Sequence, residues 1–487
     1  MEIGSLIKGY FPFGLLAIAV LSVIVFAGYY LIYRKVIKGK NVLSVGKLVW
    51  LIVFLAYVFV LAAVTLLARG NSYQGNIVPL FVSYREAWYQ YSMQAWRNLI
   101  LNIGMFVPFG FLLPIGISKM RKFWKTALCG FLVTLVIEIG QLIGRRGVFE
   151  CDDILNNTVG GMIGFGLFSI CYAVYLLFSK SASERKWSVG CVIAYQLPLI
   201  LTCVSYLAVF AVYDHQELGN MMSQNTVHFK KGSLQVSSEE SYSEQKDQAA
   251  VYQLQQMSHE EAEQYAAQFF ENIGDTLDAE QSIFYEDTGV FYSENGNDLW
   301  LDYTGMTWNF TDFDTTYSED MEENSESDVD DTSMNAIKPV DDADEETIRN
   351  ALKQYGVDVP DECTFDNEGD GDYKFTADQI KQGNAMYDGT IEGRYYDNGK
   401  LGKIWNRMTV SSYYKDFSVI SEQEAYEKIA KGKFYMWLED ADSYEIEVGK
   451  GTLNYENDSK GFYQPIYLFS ATVNGTKSEI AIPAIKK

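Results

Sequence analysis

The sequence predicts a membrane all-α six-helix bundle followed by an external soluble α+β region of helix-plus-antiparallel-hairpin units. Three observations predict it. Six apolar runs, each near the roughly 20 residues that cross a hydrocarbon core, occupy residues 11–33, 48–68, 99–117, 124–143, 155–178 and 189–213. No such run follows Tyr213, where capped helix patterns alternate with strand-like stretches and Asn-Gly turns. Charge divides at the same point: residues 1–213 hold 18 Lys and Arg against 7 Asp and Glu, a net of +11, whereas residues 214–487 carry −35.

Residues 1–47 form an N-terminal anchor span and a loop. The first run is too long for a signal-peptide core and lacks a small-residue cleavage site before charges, so it reads as a retained anchor. The loop after it carries Arg34, Lys35, Lys38, Lys40 and Lys47. The loop after the third run has Lys119, Arg121, Lys122 and Lys125, and that after the fifth has Lys180, Arg185 and Lys186. These alternate basic loops face the cytoplasm by the positive-inside rule. Both termini of a multi-pass cell-membrane protein then lie outside, with the 69–98 loop, the 144–154 loop and everything after about Tyr213.

Residues 48–178 hold four spans and most of the intramembrane polar groups; residues 179–213 supply the sixth span. The third run contains Pro108, Gly110 and Pro114, which kink a helix unless neighbours satisfy the freed carbonyls. The fifth begins with Gly160 and Gly164 at the spacing that lets helix backbones approach closely. The 69–98 loop is aromatic and reads as an interfacial helix from about Tyr84 to Trp96, either an aromatic belt or a roof over the polar groups.

A carboxylate within a membrane-length run is costly and usually paired or functional. Glu138 and Gln141 are three apart and share a helix face, and Arg145 joins them if the helix continues through Gly144. Glu138 then lies about 9 Å below the outer helix end, within reach of Arg145 or Arg146. Asn102 near the start of the third span, Asp152 and Asp153 in the following loop, and Asn157 at the start of the fifth converge on the same depth.

Asn102 with FVPFGFLLP, the Glu138/Gln141 pair, Arg146, Asp153 and Asn157 within RGVFECDDILNNTVGG, and Gly160 and Gly164 together resemble the VanZ-like family over roughly residues 48–178. The resemblance implies an integral membrane protein linked to low-level resistance to glycopeptide antibiotics. It implies no settled reaction.

Beyond the membrane half, Ser258 to Glu261 has capping-box spacing for a helix ending near Ile273, followed by strands that close the 214–310 domain. Residues 311–346 are almost all acidic or small and polar and read as an acidic disordered linker. Calcium is disfavoured there because no D-x-D-x-D-G-x-E-type loop occurs. In residues 347–487, helices at ADEETIRNALKQYG and after Ser421 to Glu424 precede hairpins turning at Asn398-Gly399 and Asn474-Gly475. Tyr463, Gln464 and Pro465 read as a buried strand edge or a recognition patch. ISEQEAYEKIAKGKF, NDSKGFYQPIYLF and IAIPAI resemble PepSY-like ectodomains of YycH/YycI-type regulators, which implies a non-catalytic binding or regulatory module and an external protein partner.

Some classes are excluded. The soluble half has no basic patch for nucleic acid. Three scattered histidines and six cysteines without a CxxC spacing argue against zinc, and no cofactor or metal is expected. Three readings of the polar cluster stay open. It binds an anionic lipid-linked envelope molecule, such as an undecaprenyl-linked lipid, through Arg145 and Arg146, with Asn102 and Asn157 as neutral donors and Glu138, Asp152 and Asp153 orienting the arginines. It is an acid/base enzyme on a lipid-linked substrate, with Glu138 beside Asp153; no nucleophile–histidine pair supports this. Or Glu138–Arg146 and Asp153–Asn102 merely hold helices together. A membrane-anchored sensor or scaffold acting through its external domain is the alternative function.

Overall fold

A computed structural model describes residues 20, 22–38, 44–67, 77–145, 147–178, 189–226, 229, 232–316, 337–436 and 441–486. The chain forms two compact units, Met1–Glu217 and Leu218–Lys487.

Among the described residues of the first unit, five helices are long and apolar enough to cross a membrane: Val45–Thr65, Met93–Gly116, Phe123–Gly144, Cys151–Phe178 and Val189–His215. Residues 11–19 and 21 of the expected 11–33 span lie outside the described residues; 22–27 are α-helical and Gly28–Val36 continues with a wide i→i+5 pattern. We label the helices α1 (Val45–Ala62), α2 (Val82–Gln90), α3 (Met93–Gly116), α4 (Phe123–Gly144) and α5 (Cys151–Phe178). The last span comprises α6 (Val189–Ala194) and α7 (Leu197–His215).

Two starts differ from expectation. The fifth span begins at Cys151 rather than residue 155, so Asp152 and Asp153 occupy a helical first turn instead of a loop. Acids are stabilised there by the positive end of the helix dipole. The helix expected at Tyr84–Trp96 is Val82–Gln90, and Trp96 belongs to α3.

α3 and α5 pack backbone to backbone. A Cβ on Gly110 would lie 1.9 Å from Gly161 O, one on Gly160 2.0 Å from Ile103 O, and one on Gly164 2.0 Å from Val107 O. Only glycine permits that approach. α3 stays helical through Pro108 and Pro114. Trp50 Nε1 donates to Leu112 O and the Tyr57 hydroxyl to Met105 O, both at 2.8 Å, so α1 supplies donors to this helix. Exposure is inverted relative to a soluble helix: on α4, Val136 is 69% and Ile143 77% exposed, while Glu138 and Gln141 are 1% exposed. Apolar residues face outward and carboxylate and amide face inward, as lipid requires.

The second unit is a 14-stranded sheet system packed against helices. Its helices α8 (His259–Asn272) and α10 (Glu422–Ala430) start at capping boxes, Ser258 with Glu261 and Ser421 with Glu424; α9 (Glu345–Gln354) is capped by Asp344. α8 and α9 bury Phe269, Phe270, Ile348 and Leu352 against Trp308, Phe310, Tyr373 and Ile404 of the sheet. α10 buries Ala425 and Ile429 against Phe469, Ile480 and Ile482. Helix-then-hairpin units are thus present, and Asn474 (φ 48°) with Gly475 (φ 85°) makes the expected tight turn.

The expected division at 310 and 347 is not a break in the sheet. Strand Trp308–Thr311 pairs with Leu401–Asn406, and Gln248–Leu254 pairs with Thr409–Ser418. Both ends of the expected linker are ordered: Asp312, Thr315 and Thr316 are buried, and Asp344 to Glu346 begin α9. Residues 317–336 lie outside the described residues. Gln464 is 2% exposed within a central strand, its side chain donating to Gly219 O at 3.0 Å.

Candidate functional site

A polar cluster is built at the end of the helices where α1 and α4 finish and α3 and α5 begin. Two-residue strands Ile77–Val78 and Phe149–Glu150 pair in parallel, which brings the segment before α2 against the start of α5. Asp152 uses this proximity. Its Oδ1 accepts the Phe81 N–H at 2.6 Å and its Oδ2 the Ser83 N–H at 2.9 Å. Phe81 sits in the left-handed region at φ 70° and gives α2 no side-chain cap, so a carboxylate from another helix takes that role. The Tyr84 hydroxyl donates to Asn156 Oδ1. Burial raises this phenol above the ordinary tyrosine range and keeps it a donor. The aromatic segment therefore roofs the cluster.

Below the roof, Asn102 Nδ2 donates to Asp153 Oδ1 at 2.5 Å, joining α3 to α5. Glu138 Oε2 accepts the Glu150 N–H at 3.0 Å, joining α4 to the segment before α5. Gln141 Nε2 donates to Thr65 O at 3.0 Å, reaching the end of the Val45–Thr65 span, and Asn157 Nδ2 donates to Thr134 Oγ1 at 2.8 Å. Glu138, Gln141, Asp152, Asp153, Asn156 and Asn157 are all buried.

Three buried amide atoms, Gln141 Oε1, Asn156 Nδ2 and Asn157 Oδ1, have no hydrogen-bond partner among the described residues. Such atoms are uncommon in native interiors and call for a polar partner. At the rim, burial and then the charge of Glu150 raise the Glu86 carboxyl.

Arg145 departs from the expected arrangement. Arg145 does not continue the helical face of Glu138: it ends α4 in the left-handed conformation, φ 50° and ψ 36°, and is exposed. Arg146 lies outside the described residues. Sequence reasoning missed Thr65 and Thr134; it placed Tyr84 in a possible roof and Asn156 among the converging polar groups but gave neither a hydrogen-bonding role. Thr134 lies four residues before Glu138, so helical spacing alone placed it on the same face.

The arrangement sits within the segment that carries the family likeness. Residues 48–172 match the VanZ/LLP1 family model. Protein VanZ of Enterococcus faecium is 26% identical over 133 residues, which cover 27% of this chain and 73% of that protein. With its apolar helices, the VanZ-like segment marks the chain as a membrane protein. Among solved structures, an uncharacterized protein from Eubacterium rectale aligns over 52% of this chain and 87% of its own at 9% identity and a TM-score of 0.25. The YpeB C-terminal domain of Bacillus megaterium aligns over 48% and 95% at 12% identity and a TM-score of 0.20. Likenesses this weak carry no argument about fold or function.

Proposed function

We propose that the chain lowers susceptibility to glycopeptide antibiotics through its VanZ-like segment, by holding an anionic lipid-linked envelope molecule at the polar cluster. The observation that carries this reading is the set of buried amide atoms on Gln141, Asn156 and Asn157, beneath the roof of α2, that have no partner among the described residues. The carboxylates of Asp152, Asp153 and Glu138 accept N–H groups of the protein and shape the site. The exposed Arg145, with Arg146 beside it in sequence, supplies the cation for a phosphate or pyrophosphate headgroup. With the basic loops cytoplasmic, the cluster opens toward the outer leaflet.

The test is photocrosslinking of a diazirine-bearing undecaprenyl phosphate to the full chain in membranes. Labelling concentrated on α2 and the start of α5, and competed by unlabelled undecaprenyl phosphate, supports the reading. Labelling spread evenly over all spans contradicts it.

A second reading rests on a groove of about 700 Å3 in the C-terminal unit, lined by Gln253, Gln255, Met257, Gln264, Tyr265 and Tyr413. There the chain is a membrane-anchored sensor or scaffold, and the groove takes an external partner. Deleting residues 214–487 separates the two: resistance that persists favours the membrane site, and resistance that is lost favours the groove.

A further inference from the structure

The other end of α3 and α5 carries a groove of its own. A groove of about 280 Å3 opens between α3 and α5, walled by Phe111, Ile115, Phe168, Tyr172 and Tyr175, with Arg121 at its edge. Tyr172 lies 15 residues beyond Asn157 on one continuous helix, about 22 Å along its axis, so this groove and the polar cluster lie near opposite faces of a bilayer.

Arg121 is held in place rather than free to sweep. Its Nε donates to Pro114 O at 3.1 Å, one terminal nitrogen donates to the Tyr172 hydroxyl at 3.0 Å, and the guanidinium carbon stands 4.6 Å from the Tyr172 ring centre. Among the described residues no carboxylate pairs with it. No Asp or Glu occurs in sequence between Glu86 and Glu138 or between Asp153 and Glu184, and Glu184 lies outside the described residues. Lys119, Lys122 and Lys125 surround the same turn, and Trp124, 60% exposed, marks the headgroup level. Among the described residues, a half-buried, positioned cation without a paired carboxylate sits over an apolar wall.

We propose that this groove binds one anionic phospholipid, its phosphate on Arg121 and the adjoining lysines and an acyl chain along Phe111, Ile115 and Phe168. Charge complementarity selects the occupant. Basic pockets between spans take anionic headgroups, and a zwitterionic lipid gains nothing from the unbalanced cations.

The experiment is relipidation of the purified full chain with an equimolar mixture of phosphatidylglycerol and phosphatidylcholine, followed by native mass spectrometry of retained lipid. Wild-type protein is expected to enrich phosphatidylglycerol about fivefold over phosphatidylcholine. Arg121→Gln removes the cation, and Ile115→Trp fills the groove while leaving the bonds of Arg121 intact; each is expected to abolish the enrichment. Equal retention of the two lipids by the wild type, or enrichment kept by both variants, overturns the proposal. So does displacement of the bound lipid by inorganic phosphate alone, which would mark a free-anion site.

Discussion

Asn102 and Asp153, 51 residues apart in sequence, meet at 2.5 Å across the interface of α3 and α5. The contact is a charge-assisted hydrogen bond placed about two turns from the glycines that let those helices touch. Its expected coupling in a double-mutant cycle, Asn102→Leu against Asp153→Leu, is about 1–2 kcal/mol. Reversible denaturation in mixed micelles measures it; additive effects of the two substitutions would show that the bond does not join the helices.

Asp152 acts at a distance as the cap of α2. Asp152→Ala is expected to cost about 1 kcal/mol, concentrated in the Phe81–Gln90 segment. Hydrogen exchange in nanodiscs checks this: amides of residues 81–90 should exchange about fivefold faster, with α3 unchanged. Uniform loss of protection would mean that the carboxylate supports the whole bundle instead.

The glycines on α5 are not equivalent. Gly164→Leu drives a side chain into Val107 O and is expected to cost about 3 kcal/mol or to separate the helices. Gly161→Ala meets nothing within 4 Å and is expected to change stability by less than about 0.5 kcal/mol. Unfolding midpoints of the two variants decide it, and comparable losses would contradict the packing described.

In the C-terminal unit, burial raises the Glu456 carboxyl above its ordinary 4.5, although Ser223 N donates to it at 3.3 Å. A carboxyl whose folded value exceeds its unfolded one binds more protons in the native state, so its contribution to stability declines as pH rises. The penalty is absent below the unfolded value, grows through the interval up to the raised folded value, and is complete above it. Glu456→Gln is therefore expected to raise the melting temperature at neutral pH and to flatten this part of the pH profile. Tryptophan fluorescence melts of the full chain between pH 4 and pH 8 measure both effects. A lower melting temperature at neutral pH would show that the charge is stabilising.

Much of this was legible in the sequence for a simple reason. Span length, the split in charge at Tyr213, the capping boxes at Ser258 and Ser421 and the Asn474-Gly475 turn are local signals, and each specifies its element without tertiary help. Glu138, Gln141, Asn102 and Asp153 stood out because polar groups in apolar runs demand partners. The partners themselves were less accessible. Glu138 meets a backbone N–H, that of Glu150, which no side-chain pattern announces. Asp152 caps a helix that begins 70 residues earlier, and Arg145 leaves the helical face because it terminates the helix itself. Sheet continuity across residues 310 and 347 depends on pairing between distant strands, and acidic composition concealed the ordered ends of the segment between them.

The central claim is that cations at the turn after α4 and the buried amides beneath α2 form one site that lowers glycopeptide susceptibility. Its most direct test is the inhibitory concentration of a glycopeptide for susceptible Gram-positive cells expressing, at equal membrane abundance, either the wild type or the Arg145→Gln/Arg146→Gln double variant. The account predicts that the wild type raises the inhibitory concentration and that the double variant returns it to the level of cells lacking the protein. Equal protection by the two proteins would contradict it.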